Sequence, residues 1–126
     1  MDFARAAMSL FRVLVALSLA FGSVSIAVGR DDGARLNDVP IAALPPEGRD
    51  TIALIKKGGP FPFQRDGVHF GNFEKRLPIK AKGYYSEYTV TTPGAKNRGA
   101  RRIVAGKDGE LFYTNDHYQS FRRIRE

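Results

Sequence analysis

The sequence contains no cysteine among its 126 residues. That absence excludes disulfide bonds, thiolate catalysis and cysteine-based metal sites. Only two histidines are present, and no carboxylates are spaced to complete a metal site with them, so neither a metal nor a cofactor is predicted. The folded part therefore depends on its apolar core alone, and a 43% hydrophobic composition is sufficient for a single core.

The first 27 residues are typical of a secretory signal. Arg5 and Arg12 precede an uncharged apolar run from Val13 to Val28, and small residues up to Ala27 match the positions that a signal peptidase reads. We predict cleavage after Ala27, no stable membrane association afterwards, and a secreted protein that is extracellular or periplasmic. The alternative is an uncleaved membrane anchor, although the run is shorter than the roughly 20 residues of a spanning helix.

Positive charge exceeds negative charge along the chain. The sequence has 20 Lys and Arg against 13 Asp and Glu, a net charge of +7. Loss of Asp2, Arg5 and Arg12 with the leader leaves 18 basic and 12 acidic residues, a net charge of +6. Such an excess favours a polyanionic partner, either nucleic acid, an anionic membrane surface or a glycan. A generic basic domain without a polyanionic partner has the same composition.

The chain beyond the leader predicts a flexible polar arm at residues 28–40 and one α+β domain at residues 41–126. A proline pair suits the start of a helix, where no backbone donor is needed, and a glycine pair from Gly58 ends it. We therefore predict one helix over Pro46–Lys57. Several short strands follow, which favours an N-terminal helix packed on a twisted antiparallel sheet.

A carboxylate lies inside the strongest predicted strand, Tyr84–Val90. Side chains alternate between the two faces of a strand. If the next apolar run buries Ile103 in the core, then Arg102 lies on the face that carries Glu87. Glu87 and Arg102 are thus predicted neighbours across an antiparallel pair.

The same pattern places two further charged groups near this pair. The connection after the first strand is rich in turn residues and carries Arg98 above the same face. A second hairpin turns at Lys107–Gly109, and its return strand, Leu111–Thr114, is followed by N-D-H-Y and brings His117 to the sheet edge. One base, one acid and two cations are the groups that phosphodiester transesterification requires.

The segment V-H-F-G-N-F-E-K-R-L-P, residues 68–78, combines aromatic rings with a carboxylate. Unpaired RNA bases stack on aromatic rings and present their Watson–Crick edges for hydrogen bonding. Guanine offers two adjacent N–H donors, which match the two oxygens of a carboxylate such as Glu74. A turn with two core phenylalanines and a solvated glutamate has the same pattern, so this segment alone leaves both interpretations open.

Residues from about 43 to 121 resemble the bacterial guanyl-specific ribonucleases, the family of barnase and the Streptomyces enzymes, with more distant fungal relatives. The matching strings are A-L-P-P-E, G-P-F-P, D-G-V-H-F-G-N-F-E-K-R-L-P, G-Y-Y-S-E-Y-T-V-T-T-P-G-A-K-N-R-G-A-R-R-I and T-N-D-H-Y. Their order and spacing agree over most of the chain beyond the leader. The resemblance implies the microbial ribonuclease fold and metal-independent RNA cleavage.

The resemblance also implies a role for each catalytic group. Glu87 matches the general base that takes the proton of the ribose 2′-hydroxyl, and His117 matches the general acid that protonates the departing 5′-oxygen. Arg98 and Arg102 match the cations that hold the scissile phosphate. The implied reaction cleaves single-stranded RNA on the 3′ side of guanosine through a 2′,3′-cyclic phosphate, later hydrolysed to a 3′-phosphate. Activity is expected to have a two-limbed pH dependence.

Six positions match the guanine site of the family, namely Phe70, Gly71, Asn72, Phe73, Glu74 and Tyr118. Glu74 matches the guanine-reading carboxylate, Asn72 a residue beside the guanine carbonyl, and Phe70 an aromatic packed near the base. Tyr118 matches a tyrosine on the far side of the pocket. Phe73 stands where the bacterial enzymes usually carry arginine and the fungal relatives an aromatic residue, so stacking on guanine is its expected role. Gly71 replaces a polar residue and leaves the backbone available.

Other positions are less specific. Lys96 and Arg101 are candidate rim cations for RNA, with a solvated basic face as the alternative. His69 is interpreted as a structural or surface residue. The tail Ser120–Glu126 predicts a last strand that buries Phe121 and Ile124.

Two other classes of function are compatible with the sequence. A secreted cationic protein would hold RNA or anionic surfaces without cleaving them, and Glu87 and His117 would then be dispensable. A ribonuclease toxin would have an inhibitor protein as its main partner, and the resemblance implies an acidic inhibitor of the barstar type over the basic site. Single-stranded RNA is otherwise the predicted partner, and the protein is predicted to be a monomer.

Overall fold

The computed structural model describes residues 36–126, so the predicted leader and most of the predicted arm lie outside the described residues. The elements are β1 (Asn37–Pro40), a short 3₁₀ helix (Ile41–Ala43), α1 (Pro46–Lys57), β2 (Tyr85–Thr89), β3 (Arg102–Gly106), β4 (Leu111–Thr114) and β5 (Arg122–Arg125). Within residues 36–126 no helix has the length and apolar character that crossing a membrane requires. The arrangement confirms the predicted α+β class.

Helix α1 has the boundaries that the sequence predicts. A proline occupies its first turn, and Gly58 follows its last turn with a φ of 91°, a left-handed conformation that glycine adopts readily. Thr51 and Ile52 are buried on the side that faces the sheet. The Thr51 hydroxyl donates a hydrogen bond to the carbonyl oxygen of Thr89 at 3.2 Å. The helix is therefore tied to the end of β2.

The sheet is mixed rather than wholly antiparallel, which corrects the prediction. Its five strands lie in the order β1-β5-β4-β3-β2, and the neighbours from β5 to β2 are antiparallel. β1 pairs with β5 in parallel. Antiparallel pairs joined by short turns are visible in a sequence, whereas a parallel pair needs a long crossover. Here the helix and three strands intervene between the two partners, so no local pattern indicates the pairing.

The predicted arm at residues 28–40 extends too far. Its last four residues form β1, where Val39 is 6% exposed and packs with Ile124 in the core. The Asp38 carboxylate also pairs with Arg125 Nε at 2.8 Å. Val39 is the one buried residue of the four in β1, and a single buried apolar residue is too weak a signal to predict a strand from the sequence.

Apolar clusters lie on both faces of the sheet. On the helix face, Ile52 packs in a cluster with Ile103, Tyr113 and Ile124. On the opposite face, a second cluster comprises Leu77, Tyr85, Val104, Phe112 and Phe121. Phe121 in the second cluster and Ile124 in the first are each 6% exposed, which confirms their predicted burial. The second cluster covers part of the face away from the helix, and the buried polar row Thr89, Arg102 and Thr114 lies beside it.

Candidate active site

Strands β2 and β3 bring a carboxylate and an arginine to one face of the sheet. Glu87 lies opposite Val104 and Thr89 lies opposite Arg102. Because residues two apart on a strand share a face, Glu87, Thr89 and Arg102 project on the same side. Arg102 Nε is 3.8 Å from Glu87 Oε1, which confirms that these two residues are neighbours.

Glu87 is the buried acceptor of this cluster, with 6% of the residue exposed. Its Oε1 atom accepts a hydrogen bond from Arg98 Nη2 at 3.2 Å and another from the Tyr118 hydroxyl at 2.7 Å. A buried carboxylate is costly unless it is paired and hydrogen-bonded. Two guanidinium groups and a phenol supply that pairing, so the carboxylate is held in one orientation.

Arg102 is 3% exposed and has two functions in the structure. Its Nη1 atom donates hydrogen bonds to the carbonyl oxygens of Gly99 at 3.0 Å and Arg101 at 2.8 Å. Its buried Nε atom has no hydrogen-bond partner in the part of the chain that the structure describes. Arg102 therefore shapes the loop before β3 and also directs positive charge toward Glu87.

The loop between β2 and β3 places Arg98. Arg98 Nε donates to Thr89 Oγ1 at 2.9 Å, and Nη2 reaches Glu87. The Asn97 side chain accepts a hydrogen bond from the Gly99 N–H at 2.8 Å, an Asx-type turn that bends the chain there. The Arg98 side chain is 22% exposed, so solvent and a bound anion can both reach it.

His117 lies in the turn after β4 and is exposed. Its φ is 56°, and its backbone N–H donates to the carbonyl oxygen of Ala100 at 2.9 Å. Its ring packs against the Tyr118 ring, with centroids 4.8 Å apart. The structure thus links the predicted acid to the Arg98 loop through its backbone and to Glu87 through Tyr118.

Asp116 holds the turn that carries His117. It accepts hydrogen bonds from the Thr114 hydroxyl at 2.8 Å, from the Ser120 N–H at 2.9 Å and from the Ser120 hydroxyl at 2.6 Å. Burial opposes ionisation of this carboxylate, but the hydrogen bonds from Ser120 and Thr114 outweigh burial and hold the pKa of Asp116 below its usual value. The turn therefore depends on an ionised aspartate.

We call residues Phe70–Pro78 the base loop, since they contain the predicted guanine-reading positions. The Asn72 side chain braces it from inside, accepting from the Leu77 N–H at 3.0 Å and donating to the Leu77 carbonyl oxygen at 3.0 Å. The Tyr85 hydroxyl donates to the Pro78 carbonyl oxygen at 2.6 Å. Because its side chain is occupied in this way, a contact of Asn72 with a guanine carbonyl would come from its backbone.

The remaining guanine-site positions divide into packed and exposed residues. Phe70 packs on Tyr118 with ring centroids 5.1 Å apart, and on Phe121 at 5.8 Å. Phe73 is 88% exposed, and a Cβ atom on Gly71 would come within 2.5 Å of its ring. The Glu74 side chain is 65% exposed and pairs with Arg76 at 3.5 Å. The structure brings Phe70 to the Glu87 cluster and leaves Phe73 and Glu74 facing solvent.

Three further predicted positions have the following surroundings. Arg101 pairs with Glu47 of α1 at 3.2 Å, and its side chain is 19% exposed. It therefore joins the helix to the start of β3, and a contact between Arg101 and RNA stays a prediction. Lys96 is exposed in the Arg98 loop. His69 is exposed and forms a single bridge with Ser86, in keeping with a surface position.

Sequence reasoning missed two positioning residues, Thr89 and Asp116. Thr89 shares the face of Glu87 two residues further along β2, and alternation alone marks it as a neighbour. Asp116 directly precedes His117 in a turn sequence, where Asp commonly accepts backbone hydrogen bonds. Both signals were present, but neither indicates which partner the side chain takes.

Comparisons with known proteins agree on one family. The sequence model of the ribonuclease family matches residues 29–125. The guanyl-specific ribonuclease St of Saccharopolyspora erythraea is 56% identical over 91 residues, which cover 72% of this chain and 90% of that protein. The chain belongs to the guanyl-specific ribonucleases. Ribonuclease Sa of Kitasatospora aureofaciens is also similar, at 54% identity over 87 residues, 68% of this chain and 91% of that protein.

Solved structures of this ribonuclease family confirm the fold. A structure of ribonuclease Sa2 in complex with mononucleotides has a TM-score of 0.72 and 52% identity, and the match covers 72% of this chain and 95% of that chain. Ribonuclease Sa2 with guanosine-2′-cyclophosphate has a TM-score of 0.69 and 52% identity, with 71% and 96% covered. One helix on a five-stranded mixed sheet is thus the shared architecture.

Proposed function

We propose that this guanyl-specific ribonuclease cleaves single-stranded RNA on the 3′ side of guanosine. The observation that carries the proposal is the buried Glu87 carboxylate held by Arg98 and Tyr118, with Arg102 3.8 Å away. A base, two guanidinium groups and a neighbouring imidazole suit phosphoryl transfer within RNA. The identity with ribonuclease St supports guanosine as the base that is recognised.

The first step is an intramolecular transesterification. Glu87 accepts the proton of the 2′-hydroxyl while O2′ forms a bond to phosphorus and the bond from phosphorus to O5′ breaks. His117 protonates the departing O5′, which leaves a 2′,3′-cyclic phosphate. In the second step the roles reverse: His117 takes a proton from water as the water oxygen forms a bond to phosphorus. The bond from phosphorus to O2′ breaks, and Glu87 returns its proton to O2′, which leaves the 3′-phosphate. DNA does not react because it has no 2′-hydroxyl.

Arg98 and Arg102 stabilise the charge that develops on the phosphoryl oxygens. Thr89 and the loop carbonyls fix the two guanidinium groups before substrate arrives. Preorganised donors of this kind are usually the largest single contribution to catalysis. Positioned acid and base groups add on the order of 10²- to 10⁴-fold.

The base loop reads guanine from the solvent side. The Glu74 carboxylate, whose side chain is 65% exposed beside Arg76, accepts from the two adjacent N–H donors of the guanine edge. The exposed Phe73 ring stacks on the base, and the backbone around Gly71 and Asn72 approaches the guanine carbonyl. Phe70, packed on Tyr118, forms the inner side of the pocket.

We further propose that the protein is secreted after cleavage behind Ala27, acts as a monomer, and is open to an acidic inhibitor of the barstar type. The apolar run from Val13 and the +7 charge of the chain support these proposals. N-terminal sequencing of protein collected from the medium tests the cleavage site, and light scattering tests the monomer. A negative result in either experiment leaves the catalytic proposal intact.

The catalytic proposal is tested with the secreted protein in EDTA on the dinucleoside phosphates GpC, ApC, UpC and CpC. The matched variant carries both Glu87→Ala and His117→Ala. We expect preferential cleavage of GpC through a cyclic phosphate in the wild type and no cleavage in the variant. If both proteins bind RNA equally and neither cuts any of the four, the ribonuclease proposal is wrong and a cationic binding protein replaces it.

A further inference from the structure

Within residues 36–126, the donors that contact the Glu87 carboxylate converge on one of its oxygens, Oε1. The Tyr118 hydroxyl is 2.7 Å from Oε1, Arg98 Nη2 is 3.2 Å from the same atom, and Arg102 Nε is 3.8 Å from it. Two hydrogen bonds and an ion pair therefore converge on Oε1. A carboxylate oxygen accepts about two hydrogen bonds, so Oε1 is saturated.

The Tyr118 phenol is held firmly enough to orient the carboxylate. Its backbone N–H donates to Thr114 Oγ1 at 3.1 Å, and its backbone has a left-handed conformation with a φ of 73°. The ring packs on Phe70, and the Arg102 guanidinium lies 5.9 Å from its centroid. Contacts other than the bond to Glu87 therefore also hold the Tyr118 side chain in place.

We propose that Tyr118 is a positioning residue for the general base: it fixes Oε1 of Glu87 and leaves Oε2 as the atom that takes the 2′-hydroxyl proton. The proton moves from O2′ to Oε2 as the bond from O2′ to phosphorus forms, and it returns from Oε2 to O2′ when the cyclic phosphate is hydrolysed. This assignment rests on the proposed ribonuclease reaction and adds a role to the pocket-lining one that the resemblance implies.

The ionisation of the phenol supports a donor role. Burial and, after it, the hydrogen bond to Glu87 together raise the pKa of Tyr118 to about 12. The hydroxyl therefore remains protonated across the working range of a ribonuclease. The charged or titratable groups that face this pair are Arg98, Arg102 and His117.

The test compares Tyr118→Phe with Tyr84→Phe. Both changes remove one phenol oxygen and keep the ring, so both variants are expected to fold. The Tyr84 hydroxyl donates to Glu110 Oε2 at 2.7 Å rather than to Glu87, so this variant also loses a bond between a phenol and a carboxylate and is a matched control. Thermal unfolding of each variant is measured first, and then kcat and KM for GpC are measured across the pH range.

For Tyr118→Phe we expect a fall in kcat of about 10-fold with little change in KM. An ionised carboxylate that loses a donor is protonated more easily, so the acidic limb of the kcat profile should move to higher pH. In Tyr84→Phe that limb should coincide with the wild-type limb. An unmoved limb in Tyr118→Phe, or equal shifts in both variants, would overturn the assignment. Absence of cleavage by the wild-type enzyme would instead overturn the proposed function.

Discussion

The Glu87 cluster and the base loop of this ribonuclease are built on opposite physical principles. Glu87 and Arg102 are 6% and 3% exposed, and their charges are paired inside the protein. In the base loop, Phe73 is 88% exposed and the Glu74 side chain 65% exposed. The groups proposed to move protons and stabilise charge are fixed before substrate arrives, whereas those proposed to read the base keep their binding surfaces free.

This difference separates stability from recognition. A change in the buried cluster removes partners from charged groups that water cannot reach, so it should affect folding and catalysis together. A change in the exposed part of the loop leaves no buried group unpaired, so it should affect base preference alone. The following four experiments test that separation in order of expected effect.

The largest effect is expected for Arg102→Lys. The planar guanidinium of arginine contacts two loop carbonyls and Glu87 at once. Lysine keeps the charge, but its single ammonium group cannot make all of these contacts. We expect a loss of about 3 kcal/mol in unfolding free energy and a fall in kcat on the order of 10²-fold or more. Urea unfolding and GpC kinetics measure both. Arg98→Lys is the control. It should lose a comparable amount of activity but less unfolding free energy, since Arg98 is partly exposed. Equal losses of unfolding free energy in the two variants would contradict the comparison.

Glu74→Gln should lower activity on the guanine substrate and leave the stability of the protein unchanged. In the variant, the amide NH₂ of glutamine faces one of the two guanine N–H donors, so that hydrogen bond is lost. Hydrogen bonds to charged groups contribute about 1.5–3 kcal/mol. We expect kcat/KM for GpC to fall about 10- to 100-fold while ApC cleavage is unchanged, so the ratio of the two reports discrimination. Unfolding free energy should stay within about 0.5 kcal/mol. Glu126→Gln, another exposed glutamate, should alter neither quantity, and an unchanged GpC/ApC ratio in Glu74→Gln would remove this residue as the reader.

Phe73→Ala should have a smaller effect on the same ratio. Stacking of a base on an aromatic ring contributes about 1–3 kcal/mol, and an exposed ring lies at the lower end, so a loss of about 5-fold in kcat/KM for GpC is expected. Ile79→Ala is the matched control, because Ile79 is also exposed, at 73%, just beyond the base loop. Equal losses in the two variants would indicate a nonspecific surface effect rather than stacking.

Asp116→Asn should have the smallest effect and a characteristic pH dependence. The pKa of Asp116 is held low in the folded protein, so its stabilising contribution is present above the unfolded pKa, about 4, and is lost as pH falls through the folded value. Near neutral pH we expect the unfolding free energy of the variant to be about 1 kcal/mol below that of the wild type. This difference should disappear as the pH is lowered. Urea unfolding at several pH values measures it, with the exposed Asp108→Asn as control. A difference in unfolding free energy that does not change with pH would contradict stabilisation of the turn by the ionised carboxylate.

Much of this architecture was predictable from local patterns. The helix bounds followed from a proline pair and a terminal glycine, and the shared face of Glu87 and Arg102 followed from strand alternation. Both patterns arise from backbone geometry that repeats every few residues, which makes them visible in the sequence. The contacts within the site were harder to predict. Strand alternation places Thr89 on the correct face, but it does not show that Thr89 accepts a hydrogen bond from Arg98.

The sequence by itself determined the chemical groups, the family, and the order of the helix and the four strands that follow it. Only the tertiary structure decided that β1 pairs in parallel with β5, that Arg101 turns to the helix, and that Asn72 braces its own loop. It also decided which oxygen of Glu87 is occupied. These outcomes depend on contacts between residues far apart in the chain or on the direction of a single side chain, and packing and charge pairing select them after the local elements have formed.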